Sequence, residues 1–201
     1  MPPHSAKTLF NRNIRSAHMC LDLFDHLPPP TPKLNTRWIL RAAVVFVVSA
    51  MDTYFHDKVK YRVGHYRFGT LPPQLARFQI PLGELETWQS AHRKGNVLRN
   101  WVTAHFAMRP LQSPEAIGDA LKLVGINDFW MTIAGNQKRT SALKQSVNAM
   151  VRRRNQIAHE GDRQQSRRSG KKLHTIGRQT VVKYIAFVEK LVARIEAKFP
   201  R

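Results

Sequence analysis

Of 201 residues, 33 are Lys or Arg and 13 are Asp or Glu, a formal charge of +20 that calls for a polyanionic partner, nucleic acid ahead of membrane. A hydrophobic fraction of 42% with 9% aromatic residues excludes a disordered basic tail, and the length suits one domain with a continuous core. The single cysteine, Cys20, excludes an intramolecular disulfide framework and a cysteine-based zinc module, and fits a reducing compartment.

Met1 to Phe10 hold no apolar core of a secretion signal. The longest apolar run, Ala42 to Met51, is shorter than the about 20 residues that a bilayer crossing takes. The expectation is a soluble, cytoplasmic protein with no membrane partner. Leu9, Phe10, Ile14, Ala17, Leu21 and Phe24 recur at three- and four-residue steps and predict an amphipathic helix from Ala6 to Leu27. The proline-rich stretch Pro28 to Pro32 ends it, because proline lacks the amide hydrogen and clashes with the preceding turn.

A long helix is predicted from Asn35 to Val63. Its middle, Ala43 to Met51, is apolar all round, as the buried centre of a bundle should be. The β-branched run Val44 to Val48 also admits a buried strand. Helix is preferred because Trp38, Leu40 and Ala42 before it, and Met51, Tyr54, Phe55 and Val59 after it, continue one pattern.

Gly64 to Pro73 reads as a connector, and residues 72–135 hold shorter helices between Pro81, Gly83, Pro110, Pro114, Gly125 and Gly135. Ser113-Pro114-Glu115 is a helix start and Leu123-Val124-Gly125 the matching stop. Further helices are predicted over Thr140 to Ala158 and Gln179 to Lys198. The last carries Val181, Ile185, Val188, Val192, Ile195 and Phe199 on one stripe. Between them, Gly161 to Gly177 reads as a mobile basic loop. The expected fold is all-α, one domain over residues 1–201, with residues 1–34 an N-terminal helix and proline-rich linker.

The chemistry concentrates in Arg152-Arg153-Arg154-Asn155-Gln156-Ile157-Ala158-His159-Glu160-Gly161-Asp162. On a helical wheel started at Leu143, Val147, Met150 and Ala158 lie within roughly 60°, and Arg154 near roughly 20°. A guanidinium at the centre of an apolar stripe needs an anionic partner or a cleft. A core salt bridge, with Asp52 as one candidate, stands against a binding role. Arg152 and Arg153 point elsewhere and read as solvated charges or phosphate contacts. Gly161 places a helix end at His159. The imidazole there diverges from Arg154 by about 140° and lies about 7.5 Å along the axis. One copy therefore does not surround one phosphate, whereas two copies across a two-fold axis do.

Arg154, the polar Asn155, and His159 five positions after the arginine resemble the R-(N/D/H)-x-x-x-H signature of the HEPN superfamily. The string Arg153 to Asp162 is similar to its RiboL-PSP branch. The likeness covers roughly residues 115–199 and extends loosely to Ser49 to Tyr54, where the branch often has an acidic residue, here Asp52. Toxin-type relatives often have a tyrosine two residues after the histidine, where this chain has Gly161.

The resemblance implies a HEPN-like helical bundle with a long central helix and a C-terminal helix, a symmetric homodimer, and RNA cleavage without metal or cofactor. It implies Arg154, His159 and Asn155 as catalytic residues, Asp52 as a supporting one, and Arg152 and Arg153 on the RNA. A role as toxin or antiviral-defence effector, with an antitoxin or regulatory partner, is implied too. The residues suit that chemistry: attack by an RNA 2′-hydroxyl on the adjacent phosphorus needs a proton acceptor working near neutrality, which histidine is. It also needs a fixed cation against the phosphorane, which arginine's planar fork supplies. The sequence has no His-Glu-x-x-His and no dense acidic set to hold a metal. Two other readings are an RNA- or nucleotide-binding module without catalysis and a basic helical scaffold on nucleic acid. Trp38, Trp88, Trp101 and Trp130 read as core rather than as a base-stacking platform.

Overall fold

The Ser5 hydroxyl accepts the Thr8 amide at 3.1 Å and starts α1 (Ala6–His26), whose Phe10, Ile14, Ala17 and Leu21 are buried at the predicted spacing. The computed structural model describes residues 5–28, 35–66, 70–164 and 173–199. Most of the expected proline-rich linker, residues 29–34, lies outside them.

α1 packs along α2 (Arg37–Val63), the central helix. The Val44 to Val48 run is helical, with Val44, Val47 and Val48 fully buried. By length and composition alone α2 could cross a membrane, a longer apolar stretch than the ten-residue run suggested. Inside the bundle 56% of its apolar window is buried, against α1 and the later helices, which are the surroundings of a core helix.

Beyond Gly64 come α3 (Pro73–Ala76), a 3-10 turn (Leu82–Glu84), α4 (Leu85–Ser90) and α5 (Lys94–Phe106). α6 (Pro114–Leu123) starts at Ser113, which accepts the Ala116 amide at 3.1 Å, and stops before Gly125, as predicted. α7 (Phe129–Ala134) ends at Gly135, whose φ of 85° needs no side chain in the way. The next residue, Asn136, already caps α8 (Gln137–His159) by accepting the Arg139 amide at 2.9 Å. That cap starts α8 three residues before the predicted Thr140. α9 (Arg178–Lys198) closes the bundle. Among the described residues the only extended pairing is an isolated bridge between Arg163 and Leu173.

Edge-to-face rings tie the layers together. Phe10 meets Tyr54 at 5.8 Å, Tyr54 meets Phe55 at 5.5 Å, and Phe55 meets Phe129 at 6.0 Å. Each such pair contributes about 0.5–1.5 kcal/mol beyond its burial. α9 is pinned to α2 by polar contacts: the Tyr54 hydroxyl donates to Glu196 at 2.5 Å, and Lys58 Nζ reaches the same carboxylate at 2.9 Å.

Two expectations are corrected here. The flanks of the basic loop are not mobile, being held by the Arg163–Leu173 bridge and by buried Asp162 and Ile176; its residues 165–172 lie outside the described residues. Trp38 is not core; it is 48% exposed, its ring lying 4.8 Å from the buried Arg41 guanidinium and covering it from the solvent side. Trp130 is buried, with its Nε1 donating to the Pro114 carbonyl, and Trp88 and Trp101 stack half-buried at 5.4 Å.

Candidate active site

α8 carries Lys138, Arg139, Lys144 and Arg152 to Arg154, and not one Asp or Glu. Leu143, Val147, Met150 and Ile157 bury one side of it. Arg154 lies among them, half-buried. Its Nε is closed off from solvent with no acceptor among the described residues, and Nη1 donates to Asn155 Oδ1 at 3.0 Å. An orphaned buried donor costs about 1–3 kcal/mol.

Asp52 does not relieve it. That carboxylate accepts the Leu111 amide at 2.7 Å and the Gln112 side chain at 3.0 Å, with His56 at 3.5 Å. Burial pushes its pKa up, but the hydrogen bonds from His56, Gln112 and Leu111 outweigh that and hold it below the usual carboxylate range. Its work is to anchor the segment entering α6, so the proposed Arg154–Asp52 salt bridge is not formed.

His159 is the last residue of α8 and is exposed, and no described residue hydrogen-bonds its ring. Gly161 and Asp162 follow with φ near 60° each, and two successive left-handed residues fold the chain back under the helix end. The Asp162 amide then donates to the Gln156 carbonyl at 2.8 Å. This turn drives the Asp162 side chain into the interior, where none of it is exposed.

Two arginines meet that carboxylate. Arg41 Nε from α2 donates to Oδ2 at 2.5 Å, while Arg153 donates through Nη1 to Oδ1 and through Nη2 to Oδ2, the latter at 2.9 Å. Arg41 Nη2 continues to the His174 carbonyl at 2.9 Å and Arg153 Nη2 to the Thr175 carbonyl at 3.4 Å. Arg153 is therefore not the solvated charge expected of it. The left-handed turn brings an acid to it that a straight wheel leaves out of reach. Asp162 stands in the motif string, and Arg41 is a lone charge in the apolar run Trp38 to Ala43, so both carried a signal that the sequence reading did not use.

Beside this knot an open groove of about 870 Å³ runs along α8, lined by Asn148, Arg152, Asn155, Gln156 and, from the returning chain, His174. Asn148, Arg152, Asn155 and His159 lie within about 60° of one another on the helix. The structure thus brings Asn155 and Arg152 together at one face, with His159 at its end. Arg154 approaches from the buried side, and no hydrogen bond joins it to His159 within one chain. Among the described residues no three His, Cys, Asp or Glu side chains cluster as metal ligands.

Residues 112–199 match the family model RiboL-PSP-HEPN. They form a HEPN-type domain. This HEPN-type domain comprises α6 to α9 in an all-α bundle, and it holds the whole Arg154–His159 motif. HEPN domains are often RNases. Neither a curated protein nor a solved structure matches the chain. Arg41 and Asp52 reach the HEPN-type domain from α2, outside the matched span: Arg41 binds the buried Asp162 within it, and Asp52 accepts from Gln112 at its start.

Proposed function

We propose that the HEPN-type domain is an endoribonuclease that needs no metal and works as a symmetric homodimer. The observation that carries this reading is Arg154: a guanidinium drawn into an apolar stripe, with a buried Nε that no described residue satisfies, is suited to an anion supplied by substrate. His159 diverges from it on the same helix, so the second copy's motif complements the first across the two-fold axis.

In this reading the RNA 2′-hydroxyl attacks the adjacent phosphorus and its proton passes to His159. The bond from phosphorus to O5′ breaks, leaving a 2′,3′-cyclic phosphate, and O5′ takes a proton from the other histidine to become a 5′-hydroxyl. Arg154 opposes the charge gathered on the phosphorane, and Asn155 fixes the arginine through Nη1. Arg152, exposed in the groove, takes a neighbouring phosphate. Arg153 supports the site through Asp162 rather than by touching RNA. A cytoplasmic toxin or defence effector restrained by a partner protein is the biological role that fits such an activity.

RNA or nucleotide binding without cleavage is the second reading, favoured by the His159 ring, which no described residue orients. Incubation of the purified protein with RNA in EDTA separates the two. Cyclic-phosphate ends, reduced by about 10²- to 10⁴-fold in His159→Ala, support cleavage. Intact RNA that is nonetheless bound supports the second reading. A particle that sediments as a monomer at working concentration overturns the shared site.

A further inference from the structure

A second cavity, of about 250 Å³, lies at the far end of α2, between α1, the last turns of α2 and α5. Asp57 within it stands about 24 Å along the helix from Arg41. Its walls are Leu9, Asp57, Lys60, Tyr61, His65 and Arg99. One glycine brings its walls together: a Cβ on Gly95 would come 3.2 Å from the Gly64 carbonyl oxygen. Without a side chain there, α5 approaches the end of α2 and brings Arg99 against it.

Arg99 Nε is buried with no acceptor among the described residues. Asp57 is half-buried and likewise has no hydrogen bond or ion pair to a described residue. Burial pushes its carboxyl above the usual range against the pull of Lys60, His56 and Arg12. A carboxylate and a guanidinium thus line one small cavity without pairing with each other. Buried polar groups are ordinarily satisfied, so the orphaned Arg99 Nε is placed for an acceptor that enters the cavity, and the half-buried Asp57 offers that entrant a carboxylate on the other side. The Tyr61 and His65 rings lie 4.2 Å apart, tilted by 34°, with His65 Nδ1 donating to the Tyr61 carbonyl at 2.7 Å, and give the cavity an aromatic wall.

We propose that this cavity binds one guanine base, either in a free nucleotide or unpaired in RNA. The ring lies along the Tyr61–His65 wall. Its N1–H and amino group donate to the Asp57 carboxylate, and O6 and N7 accept from Arg99. Adenine lacks the N1–H donor and presents no carbonyl. The volume is just below that of sites for drug-sized ligands, in keeping with a single base. Lys60, exposed at the rim, meets an attached phosphate. The site lies outside the residues matched to the HEPN family and does not depend on the nuclease reading.

Titration calorimetry on the full chain bearing Arg154→Ala and His159→Ala tests it, because any RNA then stays intact and a failure here is distinct from a failure of cleavage. Guanosine monophosphate binds saturably, one per chain, about tenfold or more tighter than adenosine monophosphate. Asp57→Asn and Arg99→Lys each abolish that preference. A short single-stranded RNA with one guanine, compared with its adenine counterpart, assigns the source. Tighter binding than the mononucleotide, lost in the adenine version, points to RNA, and no gain over the mononucleotide points to a free nucleotide. Absence of saturable binding, equal affinity for guanine and adenine, or binding unaffected by both substitutions overturns the proposal.

Discussion

Asp162→Asn removes one negative charge from a place where two guanidiniums depend on it. The side chain of Asp162 is 0% exposed, that of Arg41 3% and that of Arg153 13%, so water cannot replace the lost carboxylate. Breaking a buried pair by deleting one partner costs about 3–5 kcal/mol. Asparagine has the same shape and tolerates the left-handed φ of 60°, so the loss reads charge and not backbone strain. Against a usual stability of about 5–15 kcal/mol this is a large fraction. At about 2–4 °C per kcal/mol for a chain of this length, the midpoint falls by about 6–20 °C. Denaturation followed by circular dichroism measures it. Added salt does not close the gap, because screening acts on exposed charges. Amide exchange should rise around residues 156–164 and 173–176, which the carboxylate ties together. A loss under about 1 kcal/mol, the size of a surface pair, refutes the argument that the knot is buried and shared.

Arg154→Met separates function from stability: it removes a buried donor without an acceptor, so the variant is at least as stable as the parent while RNA cleavage is lost. A destabilisation above about 1 kcal/mol in urea would show that the guanidinium has an internal partner beyond Asn155. Asp52 has a folded pKa held below its unfolded value of about 3.9, so it adds stability above that pH and the contribution is lost as pH falls through the folded value. Asp52→Asn therefore lowers stability at neutral pH and flattens the acid limb below about pH 4, which unfolding at stepped pH values reads directly. Tyr54→Phe deletes the hydroxyl that donates to Glu196. Burial and that carboxylate drive the phenol's pKa far above the ordinary value, so it donates at every working pH. The variant should lose about 1.5–3 kcal/mol with an unchanged denaturant slope.

Apolar spacing was enough to place α1, α2 and α9, because burial of one stripe leaves a periodic trace. The Ser113-Pro114 start was equally readable, since a cap is decided by adjacent residues. The motif's arginine was recognisable from its position in the wrong stripe. Other features were hidden for a common reason. Arg41 and Asp162 are 121 positions apart, and their meeting depends on a turn of two left-handed residues whose direction no periodicity encodes. Asp52 satisfies the backbone of Leu111, a contact between elements with no shared pattern. The start of α8 is hidden because Gly135 and Asn136 are adjacent: one ends a helix and the other begins the next, so a single break in the pattern stands for both.

The grip of Arg41 on Asp162 means that the Arg154–His159 motif is steadied from outside its own family span: the clamp comes from a helix that precedes the residues 112–199 that match the family. A fragment trimmed to that span would keep Arg153 and Asp162 yet lose the hand that holds them from α2. Changes accumulating in the first half of the chain can therefore retune the second without altering a single letter of its signature.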